Sequence, residues 1–435
     1  MTGKPSLDLH VLSTPSRVAF LPERIRFIKP RLQVWVGDRV KVGSVLLEDK
    51  RNTEIKFLSP GAGKVAEINL GHRRRIREIV IELDDREQYE SFDGISMESL
   101  EKISRQDLID TILCGGLWPL IRELPYRDIA RRDVVPSSIF VNLGNLEPFQ
   151  PEPEVYLQGK GDLFEYGLAV LRVLGNGNVN VYTNRSNQYI LKELDSFITH
   201  TFSGEYPAHD PGVLLYRIKR SSDENHAWFI DGQDLLLLAE LLKTGRYPTQ
   251  RIVVLAGPGA TERSHLQTRI GVPIGHVAQG RVSEEKMRYV VGGLLTGYTG
   301  SDDGYIGLFE KSLLLVPEGD VKGDLFDWAM PGRKKPGYSK TFLSALSRAE
   351  PTVDCNRHGG LRACISCNHC PRVCPVEILP QLTYKAILAG EVEEALAHGL
   401  LDCVECGLCS YVCPSKIELF QTLQKAKEDF YREIV

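Results

Sequence analysis

Eight of the ten cysteines in this 435-residue chain lie between Cys364 and Cys413, and they repeat one phrase. Cys364-x-x-Cys367-x-x-Cys370-x-x-x-Cys374-Pro375 is followed by Cys403-x-x-Cys406-x-x-Cys409-x-x-x-Cys413-Pro414. With this spacing thiolates hold a cubic iron–sulfur cluster: intervals of two residues let a short loop turn around the cube and present three corners to it. In two-cluster chains the fourth cysteine crosses over. The expected ligand sets are therefore Cys364, Cys367, Cys370 and Cys413 for one [4Fe–4S] cluster, and Cys403, Cys406, Cys409 and Cys374 for the other. Two such clusters close together form a one-electron relay. Paired zinc sites also use Cys-x-x-Cys, but they leave the third cysteine and the trailing Cys-Pro without a purpose. The proline helps stop the chain continuing through the cluster pocket.

The remaining cysteines carry less. Cys114 sits in an apolar segment and Cys355 in a polar approach to the cysteine-rich end, and both read as bystanders. No zinc-protease histidine pair, nucleophile elbow or Walker loop occurs, so hydrolase chemistry is not supported.

Helices must position the cysteines. Between the two runs, Leu379, Leu382, Ala386 and Ala389 step by three and four, Gly390 interrupts, and Val392, Ala395 and Leu396 resume. After the second run Ser415 and Glu418 read as a capping box ahead of a stripe of Leu419, Leu423, Ala426, Phe430 and Ile434. The expectation is an α-helical ferredoxin domain.

Composition bounds the rest. Lys plus Arg number 53 against 57 Asp plus Glu, a net charge of −4, which gives no electrostatic case for nucleic acid. The longest apolar candidate, Leu235–Leu238 extended to Leu242, is interrupted by Glu240 and too short for a bilayer span. Asp8 and His10 stand where a secretion signal would need its apolar core. Reduced, cytosolic cysteines are the expectation.

Upstream, Val36–Gly43 and Ser59–Val65 alternate apolar residues with glycine turns, the pattern of short hairpins. They resemble the biotinyl/lipoyl carrier fold, in which a modified lysine would stand near Lys50. Asp49 and Arg51 flank it with no methionine, so the fold is expected without the modification. From Leu100 to Gly257 strands (Ser138–Leu143, Val179–Tyr182, Arg251–Ala256) alternate with helices (Leu163–Leu174, Asp231–Leu242), which implies a parallel, Rossmann-like sheet. Two loops could have held a nucleotide. Gly115-Gly116 is followed by bulky Leu117 and Trp118, and Asn142–Glu147 has one glycine, so neither is a dinucleotide fingerprint. Past Ala260, strands with glycine turns such as Gly292–Gly297 suggest a β-grasp-like module. A linker, Gly332–Tyr338, carries Arg333, Lys334 and Lys335, a candidate contact for lipid headgroups or an acidic protein surface that reads first as solvated.

The order of these modules is that of the RnfC subunits of Rnf complexes. The wording resembles a homologous family, the NqrA subunits of the sodium-translocating NADH:quinone reductases. Leu325–Gly332 leading to Thr341-Phe342-Leu343 is the most specific stretch; Gly116–Trp118, Leu46–Lys50, Pro207–His209 and Leu255–Pro258 support it. The resemblance implies an α+β multidomain chain: a barrel-sandwich domain over 1–95, a degenerate Rossmann-like domain over 96–260, a β-grasp-like module and linker over 261–345, and the ferredoxin domain over 346–435. It also implies a peripheral location, on the cytoplasmic face of the bacterial inner membrane. Such a protein docks on membrane subunits of the same complex and takes part in electron transfer from NADH toward quinone, coupled to sodium export. Quinone is an implied ligand at the complex, with no residue of this chain assigned to it, and the isolated chain is not expected to be active alone. Familiar members of the family have lost most cluster cysteines, whereas this chain keeps all eight. An Rnf-type protein with its own NADH and FMN sites is the alternative; erosion of both loops argues against FMN on this chain.

Overall fold

The computed structural model describes residues 2–283, 286–319, 346, 353–355 and 360–434. The basic linker, Leu325–Gly332 and Thr341–Leu343 lie outside the described residues. The chain is a mixed α/β multidomain protein with an N-terminal barrel-sandwich domain and a C-terminal ferredoxin-type domain.

The glycine-punctuated hairpins near the N-terminus build two small sheets. One orders its strands Arg17–Phe20, Ile76–Leu83, Gly63–Leu70, Arg39–Val40; the other Pro30–Leu32, Val45–Asp49, Asn52–Leu58. Alternate residues of both enter one core, where the Phe20 and Phe57 rings lie 5.4 Å apart. Lys50 is exposed at the turn between Val45–Asp49 and Asn52–Leu58. That turn is tied down, because the Arg51 guanidinium grips Asp128 of the next unit at 2.8 Å and its own neighbour Asp49 at 2.9 Å. A carrier lysine would need a free arm.

The middle sheet runs Asp128–Ile129, Arg122–Glu123, Trp228–Asp231, Ile139–Asn142, Val179–Asn184, His200–Phe202. Its last four strands are parallel. The chain leaves Ile139–Asn142 in one direction and returns on its other side as Trp228–Asp231, so the order reverses between these two strands. Helices Gly161–Leu174 and Gly232–Thr244 pack on the sheet and on each other. Asp231 caps the second by accepting the Gln233 N–H, and left-handed Gly245 ends it. Leu235, Leu236, Leu237 and Leu238 are all buried, as in a helix enclosed on every side; each contributes about 1.5–3 kcal/mol of apolar burial. Among the described residues no helix is long and apolar enough to cross a membrane.

One strand changes sheets. Gln250–Ala256, expected in the parallel sheet, instead lies at the centre of a third one, antiparallel to Ser264–Arg269 and parallel to Ser312–Pro317. Its burial on both faces made it read like the parallel strands before it. Leu9–Val11 from the N-terminus closes one edge of this sheet, and Met287–Val291 with Tyr298–Gly300 form the other.

The glycine pair at 115–116 is a packing device. A Cβ on Gly115 would stand 2.3 Å from Leu241, and one on Gly116, at φ 69°, would stand 2.4 Å from Leu58. Side chains of two units fill the space a phosphate would need.

Candidate functional site: two cysteine cages and an adjoining cavity

The two cysteine runs fold as near copies. Each loop carries left-handed residues at matching places: Ser366 and Asn368 in the first, Glu405 and Gly407 in the second, then Glu377 and Lys416 three residues after the last cysteine. These turns wrap the loops back on themselves. Short helices His369–Arg372 and Leu408–Tyr411 follow, and longer helices Pro380–Ala389 and Leu419–Ile434 pack on each other behind them.

The capping box at Ser415 does not form. Ser415 Oγ donates to the Ala363 carbonyl, and Ser410 Oγ accepts the Phe420 N–H at the start of the last helix. The buried stripe also rotates: Leu419, Leu423 and Lys427 face inward, while Ile434 is exposed. Lys427 turns in because buried carbonyl and carboxylate groups await it.

Cys364, Cys367, Cys370 and Cys413 line one small cavity, and Cys374, Cys403, Cys406 and Cys409 line a second. In each the fourth cysteine comes from the other copy. Among the described residues, no three His, Cys, Asp or Glu side chains converge tightly enough for a single metal ion. Four sulfurs spread around a cavity suit a cube larger than one ion. Cys409 packs with Cys370, Ile417 and Leu419, so the two cavities are neighbours.

Thiolates here need a cationic partner. Burial pushes the Cys370 and Cys403 thiols up to about 11 and Cys406 up to about 12. Burial also raises Cys374, opposed by backbone N–H groups of Val376, Ile378 and Glu377. Amides aimed at a buried sulfur, with apolar Val376, Ile378, Val404 and Leu423 around it, fit an iron–sulfur cluster, whose sulfurs accept such bonds. At the first set, Cys370 Sγ donates to Gln381 Oε1 at 3.4 Å, and Gln381 is in turn bonded to Asn368.

The second set is locked to the rest of the chain. Tyr206 Oη donates to the Cys406 carbonyl at 2.7 Å, Arg127 to the Val404 carbonyl at 3.0 Å, and Lys427 to the Cys403 carbonyl at 2.8 Å. Arg26, from the barrel-sandwich domain, pairs with Glu405 at 2.7 Å and Glu428 at 3.0 Å. Against its own burial, Glu405 is held below the usual carboxylate range by Lys427, Arg26 and Arg127. None of these partners was read as functional from sequence. Tyr206 adjoins Pro207–His209, the one signal that pointed to that segment.

Beside the second set lies a cavity of about 390 Å³. Asn142 and Asp231 at the strand ends, Glu147, Arg122, Phe309 and Cys406 are among the residues that line it. Glu147 accepts from the N–H groups of Leu295 and Thr296, which binds the Asn142–Glu147 loop to the Gly292–Gly297 turn. Cys114 is exposed and Cys355 half-buried, and neither lines either cage.

Four family descriptions match the chain: the NqrA N-terminal barrel-sandwich hybrid domain over 1–84, the NqrA second alpha/beta domain over 103–247, the NQRA C-terminal domain over 252–301, and a 4Fe-4S dicluster domain over 360–414. Among curated proteins, the NqrA subunit of the Na(+)-translocating NADH-quinone reductase of Histophilus somni (strain 2336) is 30% identical over 92% of this chain and 90% of that protein. The same subunits of Yersinia pestis bv. Antiqua (strain Angola) and Actinobacillus pleuropneumoniae serotype 5b (strain L20) are each 31% identical over 92% of this chain, covering 91% and 90% of themselves. Among solved structures, the NAD+-reducing [NiFe]-hydrogenase in the H2-reduced state matches 80% of this chain and 67% of that one at 12% identity and a TM-score of 0.36, too slight to bear on the fold.

Proposed function

The chain belongs to the NqrA family, and from that premise we propose that it is the peripheral NqrA subunit of a sodium-translocating NADH:quinone oxidoreductase. In this reading it takes part in electron transfer toward quinone coupled to sodium export, and it carries two [4Fe–4S] clusters as a one-electron relay. The ligands are Cys364, Cys367, Cys370 and Cys413 for one cluster and Cys374, Cys403, Cys406 and Cys409 for the other. The observation that carries the reading is the gathering of each set of four, across the two copies, around its own cavity.

When bound, the clusters supply storage and transfer of single electrons. The chain's own residues do the rest. Apolar side chains keep water from the sulfurs, backbone amides orient Cys374, and Arg26, Arg127, Tyr206 and Lys427 fix the second loop against the other units. Docking on membrane subunits, on the cytoplasmic face, and quinone as the complex's acceptor, follow from the family rather than from any residue here. The domain limits 1–95, 96–260, 261–345 and 346–435, with a Rossmann-like second unit and a β-grasp-like third, belong to the same proposal.

Anaerobically purified protein should carry about eight iron and eight sulfide per chain, and Cys367→Ser with Cys406→Ser should abolish turnover of the assembled complex. Stoichiometric zinc, or full turnover without the clusters, would overturn the relay.

A further inference from the structure

The 390 Å³ cavity beside Cys406 has the size and place of a ligand site. Pockets for small organic molecules start near 300 Å³, and in open α/β sheets they lie beyond the carboxyl ends of the parallel strands, where strand order reverses. Asn142 and Asp231, the last residues of the two strands that flank the reversal, both line this cavity.

Three of its cations are matched by carboxylates. Arg26 is paired with Glu405 and Glu428, Arg127 with Asp210, and Lys311 with Asp231 and Asp234. Arg122 forms no ion pair and no side-chain hydrogen bond among the described residues, and its Nε is buried without a partner. The guanidinium instead lies 4.7 Å from the Phe229 ring and 5.1 Å from the Phe309 ring. Burial, first, and the nearby Arg127 pull its pKa below the ordinary value, and the more distant carboxylates Asp234 and Asp231 oppose this without cancelling it. Arg24, the other cavity cation without an ion pair among the described residues, is solvent-exposed and stacks on Tyr298. Glu310 also lines the cavity, but burial raises its carboxyl toward the neutral form and its Oε2 is unpartnered. A guanidinium drawn out of bulk water with no carboxylate on it is destabilised unless an anion reaches it.

We infer that this cavity binds an organic oxyanion on a flat conjugated ring, with Arg122 holding the phosphate or carboxylate and the ring lying among Phe229, Phe309 and Tyr206 toward Cys406. A forked guanidinium matches either oxyanion through two parallel hydrogen bonds. The aromatic lining favours a planar body. The wall containing Cys406 puts that body next to the second cysteine set, which gives the site its use if the cluster reading above holds. Binding itself does not rest on that reading.

Full-length protein, its iron content measured in parallel, is titrated by calorimetry with two anionic probes and their neutral counterparts. Riboflavin 5′-phosphate is set against riboflavin, and 1,4-dihydroxy-2-naphthoate against menadione. At least one anionic probe should bind at about 10 μM or tighter, and its neutral counterpart at least about tenfold more weakly. Arg122→Leu should weaken the anion about 30-fold, the loss expected for charge-assisted bonds. Success with the phosphate would reverse the expectation against FMN on this chain; success with the carboxylate alone would assign a different ring. Should Arg122→Leu fail to fold, Phe309→Ala replaces it, with at least about fivefold weakening expected. Failure of both anions to bind, equal binding of the neutral probes, or affinity unmoved by the substitution overturns the site, whatever the iron content.

Discussion

Lys427 Nζ donates a hydrogen bond to the carbonyl oxygen of Cys403 at 2.8 Å and stands 3.5 Å from Glu405, with its side chain only 2% exposed. A buried cation is thereby fixed against the loop of the second cysteine set; at the first set Lys385 is exposed and reaches only the Ser366 hydroxyl, at 3.4 Å. An arriving electron adds negative charge, which a nearby cation favours most where water is excluded.

Lys427→Met keeps most of the buried stem and removes the charge. The second set's reduction potential should fall by on the order of 50 mV, about 1 kcal/mol for one electron, while that of the first set stays in place. A potentiometric titration followed by electron paramagnetic resonance reads both. Equal shifts at both centres, or none, would contradict the assignment.

The crossed ligation makes a sharper demand on single substitutions. Cys413→Ser lies in the second run yet should strip or convert the cluster built on Cys364, Cys367 and Cys370. Cys374→Ser, in the first run, should damage the one built on Cys403, Cys406 and Cys409. Iron content should drop by at most about four atoms in either variant. The Lys427-sensitive signal identifies which centre survives, and if Cys413→Ser removes that signal the crossing is wrong.

Much of this was legible because local chemistry repeats. A cysteine phrase with its proline, helices stepping by three and four, and hairpins marked by glycine are short-range signals, and Pro380–Ala389 and Val392–Ala397 stand where the periodicity puts them. Lys427 was illegible because a lysine on an amphipathic helix ordinarily faces water, and its partners Cys403 and Glu405 lie more than twenty residues away. Ser415 failed as a cap for a similar reason. A free carbonyl at Ala363 claims its hydroxyl, and Ser410, nine residues before the helix, takes its place. Gln250–Ala256 showed its strand character but not its sheet, since membership is set by pairing with Ser264–Arg269 and Ser312–Pro317.

His209 gives a pH dependence with a definite sign. Burial pushes its pKa down to about 4 from an ordinary 6.5; Asp210 and Asp231 oppose this and Arg127 adds to it. The unfolded chain therefore binds the proton more readily. The stability is fully present above about pH 6.5 and is lost as pH falls toward 4, up to on the order of 3 kcal/mol. His209→Gln should flatten the fall in melting temperature between about pH 6.5 and pH 4. Ring-proton NMR of the wild type should show no transition near 6.5 at this residue; a midpoint there would refute the burial argument.

Asp128 ties three units together. Its carboxylate accepts from Arg51 at 2.8 and 3.3 Å, at the tip of the N-terminal hairpin, and from Tyr431 Oη at 2.8 Å, on the last helix. Tyr431 also stacks on Tyr126 with ring centroids 4.3 Å apart. Asp128→Asn keeps the shape but removes the charge that both donors share, leaving Arg51 with Asp49 alone. A loss of about 2 kcal/mol is expected for hydrogen bonds to a partly buried charge. Tyr431→Phe should cost less, about 1 kcal/mol, because the stacking survives. Hydrogen exchange distinguishes a shared tie from two separate contacts. In Asp128→Asn, protection should fall both at the turn around Lys50 and along Leu419–Ile434, whereas in Tyr431→Phe only the helix should loosen. If the helix keeps its protection in Asp128→Asn, the carboxylate does not couple the first unit to the last. The docking of the ferredoxin end would then rest on its other ties, among them Arg26 with Glu405 and Glu428, Lys219 with Asp402, Arg217 with Glu377, and the bonds that Tyr206 and Arg127 make to the second loop.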